Sequence, residues 1–588
     1  MAMKKAFLLI ILFVSTVLLA SPLKEERARE IASGFFSSGM TRSGAAPVQL
    51  VWAGSSVPMD GKDMASVHNP DNALLYIYNS GSTDGFVVVS GESKAAPVIA
   101  FSHERPFDLH NTPTAAKALL DAWCRQIRSI REGSKTASER ADDQGEPVEG
   151  NVVLNYRTAL WGQGEPYNLE APVLNGGRCV TGCVATAMAI IAFSNGYPSS
   201  GTGTVPEYSY GSVTIPAQKL GRKYDYDNML LDYSQGYTDA EGKAVAALMK
   251  DMGVAVKMQY GVNESGTVDG NVLPALAEYF GYSKGALMLN AEGYYSGEWE
   301  SMLMENIRKY GPTYYSGASD VGGHAFVLDG YTDKGYFSIN FGWDGYGNGY
   351  YLIPYIEYYD DQRALLELVP DWTGTSSYRD LLAVIACYDK DKDETFWGLQ
   401  AMSDSYKPGV SCLVKLSGIV NQSPVPFTGE VKISLCDASG NIKEDLCHLS
   451  VSDLEYCYTR EFKDPIEIVI RKEINEGDRL MVFYKGQNSS QWHQARGYDT
   501  DSQHDVQISS SPEYVSEYSR ILWSKSDRMM KLYSALPVQC VLEGNGRSVS
   551  VSSRPYRLME MDLYDFPRGE YILKMTSGSD PYEVVIVL

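Results

Sequence analysis

The chain has 588 residues, enough for three or four domains of about 150 residues each. Its 44% hydrophobic and 21% charged content excludes wholesale disorder. Asp and Glu number 73 against 51 Lys and Arg, a net charge of -22, and no basic patch offsets it, so a nucleic-acid partner is not expected.

Residues 1–20 read as a secretory signal. Lys4 and Lys5 precede an apolar run from Ala6 to Leu19, shorter than the roughly twenty residues that span a bilayer, and Ala20-Ser21-Pro22 supplies a small residue and a breaker. No later stretch resembles a membrane span. The expected location is secreted, cell-surface or periplasmic.

A first folded unit is expected over 21–147. It opens with a helix over 23–39, continues with alternating strands near 48–52, 74–78, 85–90 and 97–102, and closes with a helix over about 113–131. Residues 132–150 are polar, with few apolar side chains, and mark an exposed, cleavable linker. Residues 148–372 differ. The segment 181–193 is Ala-rich and apolar on nearly every face, which predicts a buried helix with Thr181 as its N-cap and a stop at Gly196-Tyr197-Pro198. Helices near 239–253, 273–280 and 297–310 follow, then strands near 313–316, 324–329, 336–341 and 350–353, an α+β layout. From 373 to 505 short strands recur between turns, including one over 410–420, strands at 429–435 and 479–484 and a hairpin turn at 437–441, the pattern of a β-sandwich. A last β domain over 506–588 ends in two strands of a hairpin, at 569–575 and 582–587.

Nine cysteines are an odd number, well below the density of a disulfide scaffold; scattered buried thiols, with one or two bridges among the later ones, are the simplest reading. Cys179 and Cys183 lack a second Cys or His pair at ligand spacing, so no metal and no cofactor is expected. Asp389-Lys390-Asp391-Lys392-Asp393 lacks the glycine and glutamate of a calcium loop and reads as a solvated turn.

Seven histidines occur, and only His324 lies in the α+β segment, which holds two cysteines. A Cys–His nucleophilic pair there must use His324. Cys183 is its better partner, because it starts a buried helix whose free amides and dipole favour thiolate; Cys179 reads as a loop thiol. The 141 positions from 183 to 324 fall within the about 130–150 of papain-type enzymes. Asn340, on the next strand, is placed to hold the imidazole. Gln163, twenty residues before Cys183, is placed to complete an oxyanion hole with the Cys183 amide. Each residue also has a plain structural reading: Cys183 as core, His324 as a satisfied histidine. The acidic loop 344–349 reads as a flexible wall of the cleft.

The strings Gly164-Glu165-Pro166-Tyr167-Asn168, Thr181-Gly182-Cys183-Val184-Ala185-Thr186-Ala187, Met258-Gln259-Tyr260-Gly261, Gly322-Gly323-His324-Ala325-Phe326-Val327-Leu328-Asp329-Gly330 and Asn340-Phe341-Gly342-Trp343 stand in one order. They resemble the streptopain (interpain-like) family of secreted cysteine peptidases. The resemblance extends into 23–131, where residues 85–91 and 100–102 look like the family's propeptide. It implies a signal at 1–20, an inhibitory propeptide at 21–147 removed by cutting near 140–151, and a papain-like peptidase at 148–372. The domains at 373–505 and 506–588 lie outside the family's minimal form and are the expected seat of any surface association. It further implies Cys183 as nucleophile, His324 as general base and acid, Gln163 as oxyanion donor, and Asn340 and Trp343 beside the histidine. Phe341, where Trp is usual, and Asp344, where Gly is usual, depart from the pattern. The implied activity is a self-processing endopeptidase on proteins and peptides, with its own propeptide as inhibitor. The rival readings are an adhesin or binding protein with a degenerate peptidase-like domain, and acyl transfer to an amine instead of water.

Overall fold

A computed structural model describes residues 22–38, 47–58, 63–81, 85–110, 112–132, 150–294, 296–319, 322–353, 361–390, 393–402, 406, 408–499, 501–508, 515–516, 519–524, 529–534, 538–552, 557–563, 566–567, 569–577 and 580–587. The expected signal and nearly all of the linker lie outside these residues. The chain divides into two compact units, residues 1–280 with 300–362, and residues 281–299 with 363–588.

In the first unit, α1 (Glu25–Ser38) precedes four strands, β1 (Val48–Gly54), β2 (Leu75–Ser80), β3 (Phe86–Ser90) and β4 (Val98–Ser102), paired antiparallel in chain order. Strands β3 and β4 are buried along their whole length, which is why Phe86-Val87-Val88-Val89 and Val98-Ile99-Ala100-Phe101 read as runs and do not alternate. Tyr76 and Tyr78 tie the sheet to the start of α1, their hydroxyls donating to the carbonyls of Leu23 and Glu25. Then α2 (Thr114–Arg131) buries Leu119, Leu120, Trp123, Ile127 and Ile130 on one helical stripe.

The α+β segment supplies β5 (Val152–Asn155), α3 (Cys183–Asn195), α4 (Asp239–Ala255), α5 (Val272–Phe280), α6 (Ser296–Tyr310), β6 (Thr313–Ser319), β7 (Gly322–Thr332), β8 (Phe337–Asn340) and β9 (Gly349–Tyr351). Strands β6 to β9 form an antiparallel meander, and β5 takes over beside Gly330–Thr332 where β6 stops. The meander does not end at β9. Tyr350 and Tyr351 pair with Phe101 and Ala100 of β4, so the sheets of the two segments are one, in the order β1-β2-β3-β4-β9-β8-β7-β6. Helix α3 is buried from Val184 to Ala192, as its all-apolar sequence requires. Helix α4 starts on a full capping box, Thr238 with Glu241.

Thr181 does not cap α3. Gly182 occupies that position with φ +87°, a conformation open to glycine, and a Cβ there would lie 2.7 Å from Met258. Thr181 instead shares a 3.0 Å hydrogen bond with the Thr186 hydroxyl.

In the second unit, Phe427–Cys436 pairs with both Ile442–Leu454 and Arg479–Gly486, and the Asp437–Asn441 turn joins the first two strands. Leu399, Val414, Phe427, Val431, Ile433, Leu480 and Val482 share one core beneath it. The single strand expected over 410–420 is two, Ser411–Leu416 and Gly418–Asn421, in different sheets. Ser417 breaks the ladder by bonding Gly398 through its amide and Ile385 through its hydroxyl. The closing hairpin is Glu570–Ser577 paired with Asp580–Val587. All nine cysteines are free, so the expected late bridges do not form. Among the described residues no helix is long and apolar enough to cross a membrane.

Candidate active site

Helix α3 and strand β7 pack against each other, and that contact sets the site. Cys183 is the first residue of α3. Its sulfur lies within hydrogen-bonding reach of the backbone amide of Ala325, the residue after His324, and of the amides of Val184 and Cys183 itself. Those donors favour a thiolate, as the helix start predicts. Burial acts the other way and is larger, and the Asp269 carboxylate adds to it, so the thiol is held above its ordinary value.

His324 is buried, 6% exposed, in β7 opposite Gly317 of β6. Its Nε2 lies 2.8 Å from the Phe341 carbonyl oxygen. A carbonyl only accepts, so the proton sits on Nε2 and Nδ1 keeps its lone pair. The ring is boxed by aromatics: Trp343 with centroids 4.8 Å apart, Phe326 at 6.0 Å and Phe341 at 6.2 Å. Phe341 and Trp343 stack on each other at 4.7 Å. This desolvation lowers the imidazole to about 4, and only the Phe341 carbonyl opposes it. The site therefore stands as neutral thiol and neutral imidazole.

Asn340 ends β8 but does not reach the ring. Its Nδ2 donates to the Thr158 hydroxyl at 2.9 Å and the Ala159 carbonyl at 2.8 Å, while its Oδ1 accepts from Gly342 N at 3.1 Å. Thr158 passes the connection on, its hydroxyl 2.6 Å from Oδ2 of buried Asp329. Asn340 thus fixes the bend at Gly342 (φ +71°), which aims the Phe341 carbonyl at His324. The group on the ring is that carbonyl, a backbone atom that side-chain patterning does not reveal.

Gln163 is half-buried, and its carbonyl accepts from Thr181 N at 3.0 Å, which binds it to the turn that leads into Cys183. Cys179 is fully buried. The loop 344–349, expected as a cleft wall, takes contacts from Arg105 and Asp108, and Tyr336 and Tyr350 take them from Val98 and Phe101. Arg105 donates to the Asp344 carbonyl at 2.9 Å and pairs with Asp232 at 3.0 Å. The Tyr346 hydroxyl donates to the Asp108 carbonyl at 2.9 Å, Tyr336 to Val98 at 3.0 Å, and Phe101 stacks on Tyr350 at 5.1 Å. Arg105 and Asp269 carried no signal in the sequence, since each is one charge in a loop.

Comparison with known proteins matches residues 161–351 to the Peptidase C10 family and residues 20–127 to the Spi protease inhibitor. Streptopain of Streptococcus pyogenes serotype M28 is 30% identical over 297 residues, which cover 47% of this chain and 73% of the relative. The thiol protease/hemagglutinin PrtT of Porphyromonas gingivalis is 29% identical over 368 residues, 60% of this chain and 41% of the relative. Among solved structures, a prointerpain A fragment from Prevotella intermedia is 29% identical, with TM-score 0.42, covering 52% of this chain and 96% of that one. Active interpain A of the same organism is 34% identical, with TM-score 0.34, covering 38% and 95%. Within the α+β segment, residues 161–351 are accordingly a cysteine peptidase domain, and residues 20–127 ahead of it, whose sheet it continues, are its inhibitor propeptide. With its inhibitor and peptidase segments in that order, the chain belongs to the Peptidase C10 family.

Proposed function

We propose that this cysteine peptidase is an exported endopeptidase made as a latent precursor that matures by cutting itself near 140–151. The observation that carries the proposal is the placement of the Cys183 sulfur against the Ala325 amide, one residue from the lone imidazole of its domain. In the reaction, the thiol passes its proton to the free Nδ1 of His324, and the thiolate attacks the substrate carbonyl. Charge on the former carbonyl oxygen is received by the Cys183 amide and the Gln163 side-chain NH₂. The imidazolium, its Nε2–H steadied by the Phe341 carbonyl, returns the proton to the leaving amine, and water then releases the acyl group. Trp343 covers the ring and keeps water from it. Asn340 acts at one remove, through the Gly342 bend.

The test is Cys183→Ala in the full-length chain, followed by mass spectrometry beside the wild type. The variant is expected to keep its propeptide and leave casein intact, while the wild type loses the propeptide by a cut near 140–151. A variant that matures alone and cleaves casein would overturn the mechanism. A folded wild type that neither cuts nor reacts with a thiol-directed peptidyl probe would instead favour a binding protein with a degenerate site.

A further inference from the structure

Asp269 is a carboxylate for which the hydrolytic scheme above has no use. It sits in the turn Asp269–Asn271 that leads into α5, half-buried, beside an exposed Val268. Both of its oxygens are fixed from β6: the Tyr314 hydroxyl donates to Oδ1 at 2.7 Å and the Ser316 hydroxyl to Oδ2 at 2.9 Å. Both donors are neutral, and among the described residues no lysine, arginine or histidine pairs with it. Ser316 lies directly across the β6–β7 ladder from Ala325, whose amide touches the Cys183 sulfur, so the carboxylate stands one strand from the nucleophile. A lone negative charge there opposes formation of the thiolate, a standing disadvantage for a thiol enzyme. A cation delivered to Asp269 by the substrate removes that disadvantage and satisfies the carboxylate in one event.

We infer that Asp269 selects substrates carrying a lysine or arginine side chain close to the scissile bond. The inference rests on Cys183 being the nucleophile. The substrate's ammonium or guanidinium donates to the oxygens that Tyr314 and Ser316 hold in place, and its charge cancels the field that Asp269 exerts on the sulfur. A charge-assisted hydrogen bond at a half-buried site supports about a tenfold preference, and the effect falls on kcat as well as KM, because the bound cation also eases thiolate formation.

The experiment takes the full-length chain after it has matured and digests a peptide library in which arginine is scanned through the positions on both sides of the cleaved bond. The favoured peptide is then compared with its counterpart bearing norleucine, a neutral side chain of similar length. Wild type is expected to prefer arginine at one position by about tenfold in kcat/KM, and the ratio is expected to shrink as salt is raised. Asp269→Asn is expected to bring the ratio close to one, with Asp269→Glu restoring part of it. A wild-type ratio near one, or a ratio that survives both Asp269→Asn and high salt, overturns the inference. The wild-type ratio and its salt dependence decide the matter even if the variants fail to fold. Failure of the proposed function is told apart by the Cys183→Ala chain: if that chain cuts, the nucleophile is wrong, whereas a cation-indifferent wild type refutes only the role of Asp269.

Discussion

Raising the pH of the full-length chain should accelerate alkylation of Cys183 about tenfold per unit from pH 6 upward, with no plateau near neutrality. The thiol is held above its ordinary value by burial and by Asp269, and the imidazole is lowered to about 4 by its aromatic box. Even an ordinary thiol at about 8.5 would stand about 4.5 pH units above that imidazole. Moving the proton from sulfur to ring then costs about 6 kcal/mol before the attraction between the new charges is counted, which leaves the neutral pair as the resting form. Thiolate arises only by loss of the proton to solvent, below about 3% of molecules at pH 7. Short iodoacetamide pulses across pH 6–10, read by mass spectrometry of the Cys183 peptide with exposed Cys457 as internal reference, measure this directly. A rate that is level between pH 6 and 8 would reveal a standing thiolate–imidazolium pair and refute the reasoning.

Two further outcomes follow from the same geometry. His324 binds its proton more weakly when folded, at about 4, than in the unfolded chain, at about 6.5, so the unfolded state takes up more protons between these values and stability falls as pH drops through that window, by up to about 3 kcal/mol. In a Cys183→Ala background, His324→Gln should remove that part of the slope of melting temperature between pH 7 and pH 4.5; an unchanged slope would count against a buried neutral imidazole. Arg105→Ala deletes a half-exposed ion pair and one charge-assisted hydrogen bond, together worth about 1–2 kcal/mol. Amide exchange over 101–112 should quicken about five- to thirtyfold in the uncut chain, and exchange equal to that of the parent would show that Arg105 holds nothing.

What could be read from the sequence followed what side-chain patterns encode. Runs such as Val87-Val88-Val89 and the apolar stretch 184–192 announce elements buried on all sides, and α1 to α6, β1 to β4 and β6 to β9 lie close to where periodicity and breakers put them, whereas the short β5 is not anticipated. His324 could be singled out as the one histidine of its segment, and Cys183 could be preferred to Cys179 because it stands at the start of a buried helix. The failures share one cause. At Gly182, Ser417 and Phe341 the backbone decides: a positive φ displaces the expected cap, a main-chain bond splits a strand, and a carbonyl takes the place expected for an amide side chain. Asp269 and Arg105 escaped notice because a charge in a loop gains meaning only from what the fold brings to it.

The shared ladder between β4 and β9 makes covalent scission and physical departure separate events. A cut in the linker leaves the register of Ala100 and Phe101 against Tyr351 and Tyr350 untouched, along with the Tyr336 and Tyr346 hydroxyl contacts. On the proposed maturation, the severed inhibitor would have to peel off as a strand, leaving β9 as the rim of the enzyme's sheet. That rim is three residues long, bounded by Gly349, too short a template to recruit a foreign strand. On that maturation, the same brevity would ease the inhibitor's departure and offer a second copy of the enzyme little edge to pair with.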